Sequence, residues 1–203
     1  MPAMPVEFWF EFASTYSYLA AQRIESLARP AGIPVIWRPF LLGPVFLSLG
    51  WNDSPFNIYP PKGRYMWRDL ARLCAKYGLP FRVPSQFPRN GLHAARVTLA
   101  AANEPWLPDF VRAVLRANFG EDRDISQPAV IQEILSELGV APELWLEGAT
   151  REEIKTALRR QTERATELGI FGAPTFLVGS EMFWGNDRLE DALAWAIQPQ
   201  PPG

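Results

Sequence analysis

The stretch that decides the fold is residues 12–18, Phe-Ala-Ser-Thr-Tyr-Ser-Tyr, where Ser14 stands between a predicted strand and a predicted helix. Such a junction presents free backbone N–H groups and the positive end of a helix dipole, and both favour a bound anion. A redox enzyme of this layout would carry a Cys-x-x-Cys pair here, whereas this chain has Ser14 and Ser17. The sequence therefore predicts an anion supplied from outside the chain, and a ligand's thiolate is a candidate.

Residues 6–40 predict a strand, a helix and a second strand. Residues 6–12 form a short aromatic-rich run that suits a buried strand. Ser14 is a typical N-cap for the helix that follows, in which apolar residues recur at helical spacing until residues 30–32 end it. Residues 33–40 then return to a β-branched and aromatic pattern. A βαβ unit of this kind implies two parallel strands joined by a right-handed crossover.

The middle of the chain has a different composition and hydrophobic pattern. Residues 43–61 are rich in Pro, Gly and Asn, and we expect a long irregular stretch there. Apolar stripes at helical spacing then predict five helices. These begin near Met66, Gly91, Phe110, Ile131 and Ile154. The last of them carries a capping box, Thr150-x-x-Glu153. This part of the chain is therefore predicted to be all-helical.

The C-terminal part returns to strands. Residues 174–178 and 181–184 read as two short strands around Gly179-Ser180, a favourable hairpin turn. Asn186 or Asp187 is then expected to cap a last helix. The predicted order is therefore βαβ, a helical block, and ββα.

Composition excludes several classes of function. Apolar residues make up 48% of the 203 residues and charged residues 21%, as in ordinary globular proteins. The net charge of −2 gives no reason to expect nucleic acid or a membrane surface as a partner, and no stretch suits a bilayer span. The first residues lack the features of a secretory signal, and the single Cys74 excludes an internal disulfide. We therefore expect a cytoplasmic setting.

The order of these elements resembles the thioredoxin fold with the helical insertion of DsbA-type proteins. Five motifs resemble, in the same order, those of 2-hydroxychromene-2-carboxylate isomerases and kappa-class glutathione transferases. They are residues 8–20 (FWFEFASTYSYLA), 37–43 (WRPFLLG), 62–66 (KGRYM), 169–176 (GIFGAPTF) and 183–189 (FWGNDRL). The resemblance implies an α/β thioredoxin-like domain from residues 1–55 and 160–203, with an inserted all-helical domain over residues 56–159.

This resemblance implies glutathione as the cofactor and Ser14 as the catalytic residue. The Ser14 hydroxyl would donate a hydrogen bond to the glutathione thiolate, and the helix N-terminus would lower the pKa of the thiol. A cysteine in its place would risk a mixed disulfide, which serine cannot form. From the residues alone, a serine that only caps the helix is an equally good interpretation.

The C-terminal motifs imply the rest of the glutathione site. Pro174 resembles the cis-proline of thioredoxin-fold proteins, which leaves the N–H and C=O of Ala173 free for the cysteinyl unit of glutathione. An ordinary trans-proline is the alternative that base rates favour. Asn186, Asp187 and Arg188 would hold the γ-glutamyl group, because an aspartate accepts from an ammonium group while amides and arginine bind a carboxylate. Helix capping is the alternative role for Asn186 and Asp187.

Two further residues are implied to face the ligands between the two domains. Lys62 would pair with a carboxylate of glutathione or of a small aromatic acid substrate, and Asn52 would contact the substrate. A solvated surface charge is the alternative for an isolated lysine. Trp51 and Trp67 are candidates for stacking on an aromatic substrate.

Other residues carry less chemistry. Cys74 lies on an apolar helical stripe and is predicted to be a buried structural thiol. His93 is the only histidine, so neither a metal site nor a catalytic triad is predicted. Two positions depart from the family pattern: Thr15 stands where proline is common, and Glu11 where aspartate is commoner.

Three functions remain open from the sequence. The first is a glutathione-dependent isomerase of the 2-hydroxychromene-2-carboxylate type, the second a kappa-like glutathione transferase, and the third a non-catalytic protein that binds a peptide beside Pro174. The missing Cys-x-x-Cys pair excludes disulfide exchange. A homodimer is expected by analogy with the family.

Overall fold

The computed structural model describes residues 3–198, which contain one four-stranded mixed sheet. Its strands are β1 (Val6–Phe10), β2 (Val35–Pro39), β3 (Thr175–Val178) and β4 (Glu181–Trp184). They lie in the order β2-β1-β3-β4, with β1 and β2 parallel and the other two pairs antiparallel. The predicted βαβ and ββα units are confirmed, and together they form the thioredoxin-like sheet.

Ser14 is the N-cap of helix α1 (Thr15–Ala28), as predicted. The Ser14 backbone is extended, and its Oγ accepts a hydrogen bond of 3.2 Å from the backbone N–H of Ser17. The strand before it ends at Phe10, two residues earlier than predicted. The chain turns instead, and the Ser14 N–H donates to the Glu11 carbonyl oxygen over 3.0 Å. Glu11 and Ser14 therefore belong to one tight turn.

Eight helices lie between β2 and β3 in the described part of the chain. They are α2 (Leu42–Ser48), α3 (Pro55–Ile58), α4 (Pro60–Tyr77), α5 (Leu92–Ala100), α6 (Leu107–Gly120), α7 (Pro128–Glu137), α8 (Pro142–Thr150) and α9 (Glu152–Glu167). The helix α10 (Leu189–Ala196) follows the hairpin. The bounds of the inserted domain remain a prediction, and positions 1, 2 and 199–203 of the outer domain lie outside the described residues.

The prediction of an irregular stretch over residues 43–61 is wrong. Helices α2 and α3 and the start of α4 occupy most of it. Its prolines begin helices rather than preventing them, because Pro55 and Pro60 stand at the first position of α3 and α4. That position needs no N–H donor within the helix, and it suits the fixed φ angle of proline.

The predicted capping box at Thr150 is also wrong. Thr150 ends α8, a helix that the sequence pattern did not predict, and its hydroxyl donates to the Glu147 carbonyl oxygen over 2.7 Å. Helix α9 begins immediately afterwards at Glu152, and no side chain caps it. The acidic pair Glu152 and Glu153 in its first turn complements the positive end of the helix dipole instead.

A continuous apolar core joins the sheet to the helical block. Phe8 stacks on Phe10 and on Phe176, with ring centroids 5.1 and 5.4 Å apart. The same cluster of buried residues continues into α5 and α6, where Phe110 and Phe119 are fully buried. The sheet and the helical block therefore share one core that excludes water, and the helices pack behind the turn that carries Ser14.

A buried polar chain connects the helical block to that turn. Asn118 of α6 donates from Nδ2 to the Phe12 carbonyl oxygen over 3.0 Å, and its Oδ1 accepts from Arg89 Nη1 over 3.1 Å. Arg89 is itself buried and pairs with Asp122. Gly91 passes so close to the turn that an added Cβ would stand 2.7 Å from the Cβ of Phe12. The turn is therefore held from the helical side.

We predict that Asn118→Leu lowers the free energy of unfolding by about 3 kcal/mol. The apolar side chain leaves the buried Phe12 carbonyl without a donor and removes one of the acceptors of Arg89, which keeps the Arg123 carbonyl. A buried polar group without its partner costs about 1–3 kcal/mol, and the cavity and shape change add to it. Urea unfolding followed by tryptophan fluorescence measures the loss. Asn103→Leu, on an exposed turn, is the matched control and should change the free energy by less than about 0.5 kcal/mol. Equal effects of the two changes would contradict the role given to Asn118.

None of the helices in residues 3–198 combines the length and the apolar character needed to cross a bilayer.

Candidate active site

A cleft of about 620 Å³ opens at the turn that carries Ser14. One wall is the turn itself, over residues 11–16. The facing wall is built by α2, the loop after it and the start of α4. The loop at residues 87–89 closes one end, and residues 171–173 with Trp184 close the other. A volume of this size is typical of sites that bind small organic ligands.

Ser14 lies in the wall of this cleft and is 8% exposed. Its Oγ donates a hydrogen bond of 2.9 Å to the carbonyl oxygen of Ala173 while accepting from the Ser17 N–H. Two residues that lie 159 positions apart in the sequence, and that were predicted for one site, are therefore in direct contact. The serine caps its helix and also faces the cleft, so its two interpretations are compatible.

The peptide bond between Ala173 and Pro174 is cis, as predicted. The Pro174 carbonyl oxygen accepts from the Gly185 N–H over 2.9 Å. The Ala173 N–H has no hydrogen-bond acceptor within residues 3–198, but its carbonyl is occupied by the Ser14 hydroxyl. Only one of the two backbone groups expected to be free is therefore free in this structure.

Lys62 and Asn52 both line the cleft. Lys62 lies in the first turn of α4, and its Nζ is 5.7 Å from the ring centre of Phe56. Arg89 also lines the cleft, but it is committed to Asp122 and Asp124. Of the cleft-lining cations in the described chain, Lys62 is therefore the one without a carboxylate within 4 Å. This leaves its charge available to an acidic ligand.

Asn186, Asp187 and Arg188 lie beside the cleft rather than in its lining. They form a 3₁₀ turn before α10, and no side chain caps either segment, so the predicted capping role is wrong. Asn186 is buried, and its Oδ1 accepts from Arg23 Nη1 over 3.1 Å. Arg188 pairs with Asp191 at 2.9 Å. Their role in binding glutathione stays a prediction.

Asp187 is close enough to the start of α1 to influence Tyr16, whose hydroxyl donates to Asp69 Oδ2 over 2.9 Å. Burial is the main cause that raises the pKa of Tyr16, and the negative charges of Asp69 and Asp187 raise it further. Asp187 therefore lies on the same side of the molecule as the Ser14 turn, although it does not line the cleft.

The remaining candidate residues differ in whether they line the cleft. Trp51 lines the cleft, whereas Trp67 is not part of the lining and packs on Phe87 with ring centroids 4.9 Å apart. His93 does not line the cleft either. Cys74 is buried, as predicted, and burial raises the pKa of its thiol to about 11. Within residues 3–198, no three His, Cys, Asp or Glu side chains are grouped so as to hold a metal ion.

Two aromatic residues that the sequence interpretation did not single out shape the mouth of the cleft. Phe171 and Trp184 lie with ring centroids 4.8 Å apart, and both are about half exposed. Gly172 makes this arrangement possible, because a Cβ there would stand 2.5 Å from Trp184 Nε1. Both aromatic residues belong to the C-terminal motifs, and this was the signal available in the sequence.

Glu11 is the other residue whose place in the site was missed. It lines the cleft with 8% exposure, and its Oε2 accepts from the Ala13 N–H over 2.9 Å. No cation of the described chain forms an ion pair with it. Burial raises the pKa of this carboxyl to about 8, against a smaller lowering by the Ala13 N–H. The signal in the sequence was a charged residue inside an apolar run, but that run was interpreted only as a strand.

Comparisons with known proteins agree with this geometry. A family model described as a DSBA-like thioredoxin domain matches residues 5–198. A 2-hydroxychromene-2-carboxylate isomerase of Pseudomonas putida is 34% identical, covering 92% of this chain and 91% of its own length. A glutathione S-transferase kappa 1 of Caenorhabditis elegans is 28% identical, covering 99% and 95%. A solved structure of a 2-hydroxychromene-2-carboxylate isomerase superposes with a TM-score of 0.81 at 31% identity, over 95% of each chain.

We predict that Glu11→Gln changes how stability depends on pH. Because the folded-state pKa of Glu11 lies near 8, above the ordinary 4.5, the unfolded chain loses this proton first. The wild type is therefore fully stabilised by this group below about pH 4.5 and loses that contribution as pH rises through about 8.

The glutamine variant does not ionise and should become relatively more stable, by up to about 1.4 kcal/mol per pH unit between about pH 5 and 8. Urea unfolding at a series of pH values measures the difference. Glu143→Gln, an exposed change in α8, is the matched control and should run parallel to the wild type. If the Glu11→Gln curve also runs parallel, the carboxyl is not protonated in the folded protein.

Proposed function

Because the chain belongs to the DsbA-like thioredoxin family, in the group of 2-hydroxychromene-2-carboxylate isomerases and kappa-class glutathione transferases, we propose that it is a glutathione-dependent isomerase. Its substrate is 2-hydroxychromene-2-carboxylate or a similar aromatic pyruvate, and it changes cis geometry to trans. Three curated relatives named as this isomerase, at 30–34% identity, support this reaction type.

The observation that carries the proposal is the 2.9 Å contact between Ser14 Oγ and the Ala173 carbonyl oxygen. It brings a hydroxyl donor at a helix N-terminus next to a backbone segment with an unpartnered N–H. A cysteinyl unit needs both, since its peptide groups pair with a backbone edge while its sulfur needs donors and positive potential. The residues present therefore fit glutathione, and Ser14, Lys62 and Ala173 beside Pro174 would hold it.

The hydroxyl of Ser14 has one proton, and this limits what it does. In this structure the proton is directed to the Ala173 carbonyl. A peptide N–H that pairs with the same carbonyl takes over that acceptor, so the Ser14 proton becomes available to a sulfur atom. The start of α1 adds its dipole, which favours the thiolate over the thiol. Ser14 thus passes from a structural contact to a catalytic one when the ligand enters.

When bound, glutathione would supply a thiolate able to add reversibly to the conjugated double bond of the opened aromatic pyruvate, which would leave a single bond free to rotate. The chain's own residues hold the substrate during this change. Lys62 binds a carboxylate, and Asn52 donates or accepts a hydrogen bond beside it. Phe46, Trp51 and the exposed pair at the mouth surround the aromatic ring and exclude water.

The remaining parts of the proposal concern the ends of the ligand and the setting of the protein. Asn186, Asp187 and Arg188 bind the γ-glutamyl end of glutathione beyond the cleft, where Asp187 is exposed and Arg188 is half exposed. The protein acts in the cytoplasm, where glutathione is reduced, and it functions as a homodimer like its family. A reduced thiol is required, since a disulfide form has no thiolate to offer.

A second candidate is a kappa-like transferase, which the kappa relatives at 25–28% identity support. It uses the same thiolate site with a different electrophile. Turnover of 2-hydroxychromene-2-carboxylate, followed by ultraviolet absorbance, is expected to exceed conjugation of chlorodinitrobenzene. The reverse order would favour the transferase. Saturable glutathione binding without either reaction would leave a binding protein.

We predict that Ser14→Ala lowers kcat/KM for the isomerisation by about 10²–10³-fold, because the thiolate loses a positioned donor. Glutathione still binds through Ala173, so calorimetry should detect binding. Ser26→Ala is the matched control, since this hydroxyl lies on the same helix but donates to the Arg23 carbonyl on the surface. An unchanged rate in Ser14→Ala, with an intact circular dichroism spectrum, would move the chemistry away from Ser14.

We predict that Lys62→Met raises KM for the acidic substrate by about 10–100-fold, because a charged hydrogen bond is worth about 1.5–3 kcal/mol. Lys76→Met changes a lysine at the other end of the same helix and should leave KM unchanged. Steady-state kinetics at saturating glutathione separate the two. An equal KM in both variants would assign Lys62 to the surface only.

A further inference from the structure

Glu11 occupies a distinct position in the cleft wall. Its Oε2 is held by the Ala13 N–H, next to Ser14 in the sequence. Its Oε1 lies 3.6 Å from the point where a Cβ on Gly91 would stand, so the carboxyl is directed towards the start of α5. Ala173 approaches Ser14 from the sheet. One oxygen of Glu11 is therefore held by the turn that carries Ser14, and the other lies near the helical block in the wall of the same cleft.

The charged and titratable groups around the cleft do not neutralise Glu11. Arg89 is committed to Asp122 and Asp124, and Lys62 lies across the cleft on α4. The other titratable groups in the lining are Asp53, Tyr16 and Tyr65. Asp53 accepts from Asn57, and the Tyr16 hydroxyl donates to Asp69. A Glu11 carboxylate is therefore a buried charge without a partner, which is costly, and the neutral acid is favoured.

A neutral carboxyl at this place has one O–H to donate. Its Oε2 already accepts a hydrogen bond, so the proton belongs on Oε1, which has no partner in residues 3–198. An apolar site that keeps a carboxylic acid protonated at neutral pH makes it a hydrogen-bond donor, a role that an ionised glutamate cannot fill. The burial that raises the pKa of Glu11 to about 8 acts in the same direction.

We propose that the protonated Glu11 carboxyl donates a hydrogen bond to the keto oxygen of the ring-opened aromatic pyruvate. Addition of a thiolate to the conjugated double bond shifts its π electrons onto that oxygen, and loss of the thiolate returns them. The inference rests on the proposed isomerase function. The proton stays on Glu11 throughout, so the step requires no further acid or base. Glu11 and Ser14 then act from the same turn. Ser14 donates a hydrogen bond to the sulfur, and Glu11 donates one to the substrate oxygen.

The test compares the pH dependence of kcat in the wild type and two variants at saturating glutathione and substrate. In the wild type, kcat should fall about tenfold per pH unit above about pH 8, as the donor ionises. Glu11→Gln keeps an N–H donor that does not ionise, so it should stay within about tenfold of the wild type at pH 7 and lose the alkaline fall. Glu11→Leu has no donor and should lose about 10²-fold at pH 7.

Two readouts do not depend on activity. Infrared difference spectra of wild type minus Glu11→Gln should show the band of a protonated carboxyl at pH 7, and this band should vanish at high pH. Calorimetry should give the same glutathione affinity in all three proteins, because Glu11 serves the substrate. Glu143→Gln is the matched control and should retain the wild-type pH profile.

The outcomes are separable. An alkaline fall that persists in Glu11→Gln, or equal rates in the leucine and glutamine variants, would overturn the role of Glu11 while leaving the isomerase intact. Absence of the protonated-carboxyl band would do the same. A wild type that neither binds glutathione nor isomerises the substrate would overturn the proposed function and the Glu11 inference together. A poorly folded Glu11→Leu leaves the glutamine profile and the infrared band to decide.

Discussion

The hydrogen bond from Asn118 to the Phe12 carbonyl is the constraint on which the site depends. Strand β1 stops at Phe10, so residues 11–14 leave the sheet and have no neighbouring strand to hold them. The helical block supplies the missing partner, because Asn118 is itself fixed by the buried Arg89. Gly91 allows the two parts to approach within contact distance. The cleft is thus a product of both halves of the fold, and its geometry changes if either half moves.

The electrostatics of the cleft depend on which charged groups in its walls have ion-pair partners. Its walls are mostly apolar and aromatic, and of their four charged residues only Arg89 forms ion pairs within the described chain. Lys62 keeps an available positive charge, and burial raises the pKa of Glu11 to about 8, which favours its neutral form at pH 7. An acidic ligand of the kind proposed would therefore meet a cation and a helix N-terminus, with Asp53 as the other carboxylate of the lining.

The parts of the fold that could be predicted from the sequence are those with local causes. The cap at Ser14, the βαβ and ββα units and the hairpin turn depend on neighbouring residues, and the motifs around Pro174 and Ser14 carry the family. The wrong predictions involve choices between local alternatives: proline beginning a helix, and Thr150 closing one helix rather than opening the next. The position of Glu11 in the site depends on Gly91 and the buried core, which lie far away in the sequence.

The indole of Trp184 lies over Gly172, where there is no room for a Cβ. The shape of the cleft entrance therefore depends on a lining residue that has no side chain of its own. A larger residue there would require the indole to move, and the shape of the entrance would change with it. Substrate size within this group of proteins is therefore expected to drift with position 172, even where the residues around the sulfur stay the same. Substrate selectivity can then change at the cleft entrance while the residues proposed for catalysis stay the same.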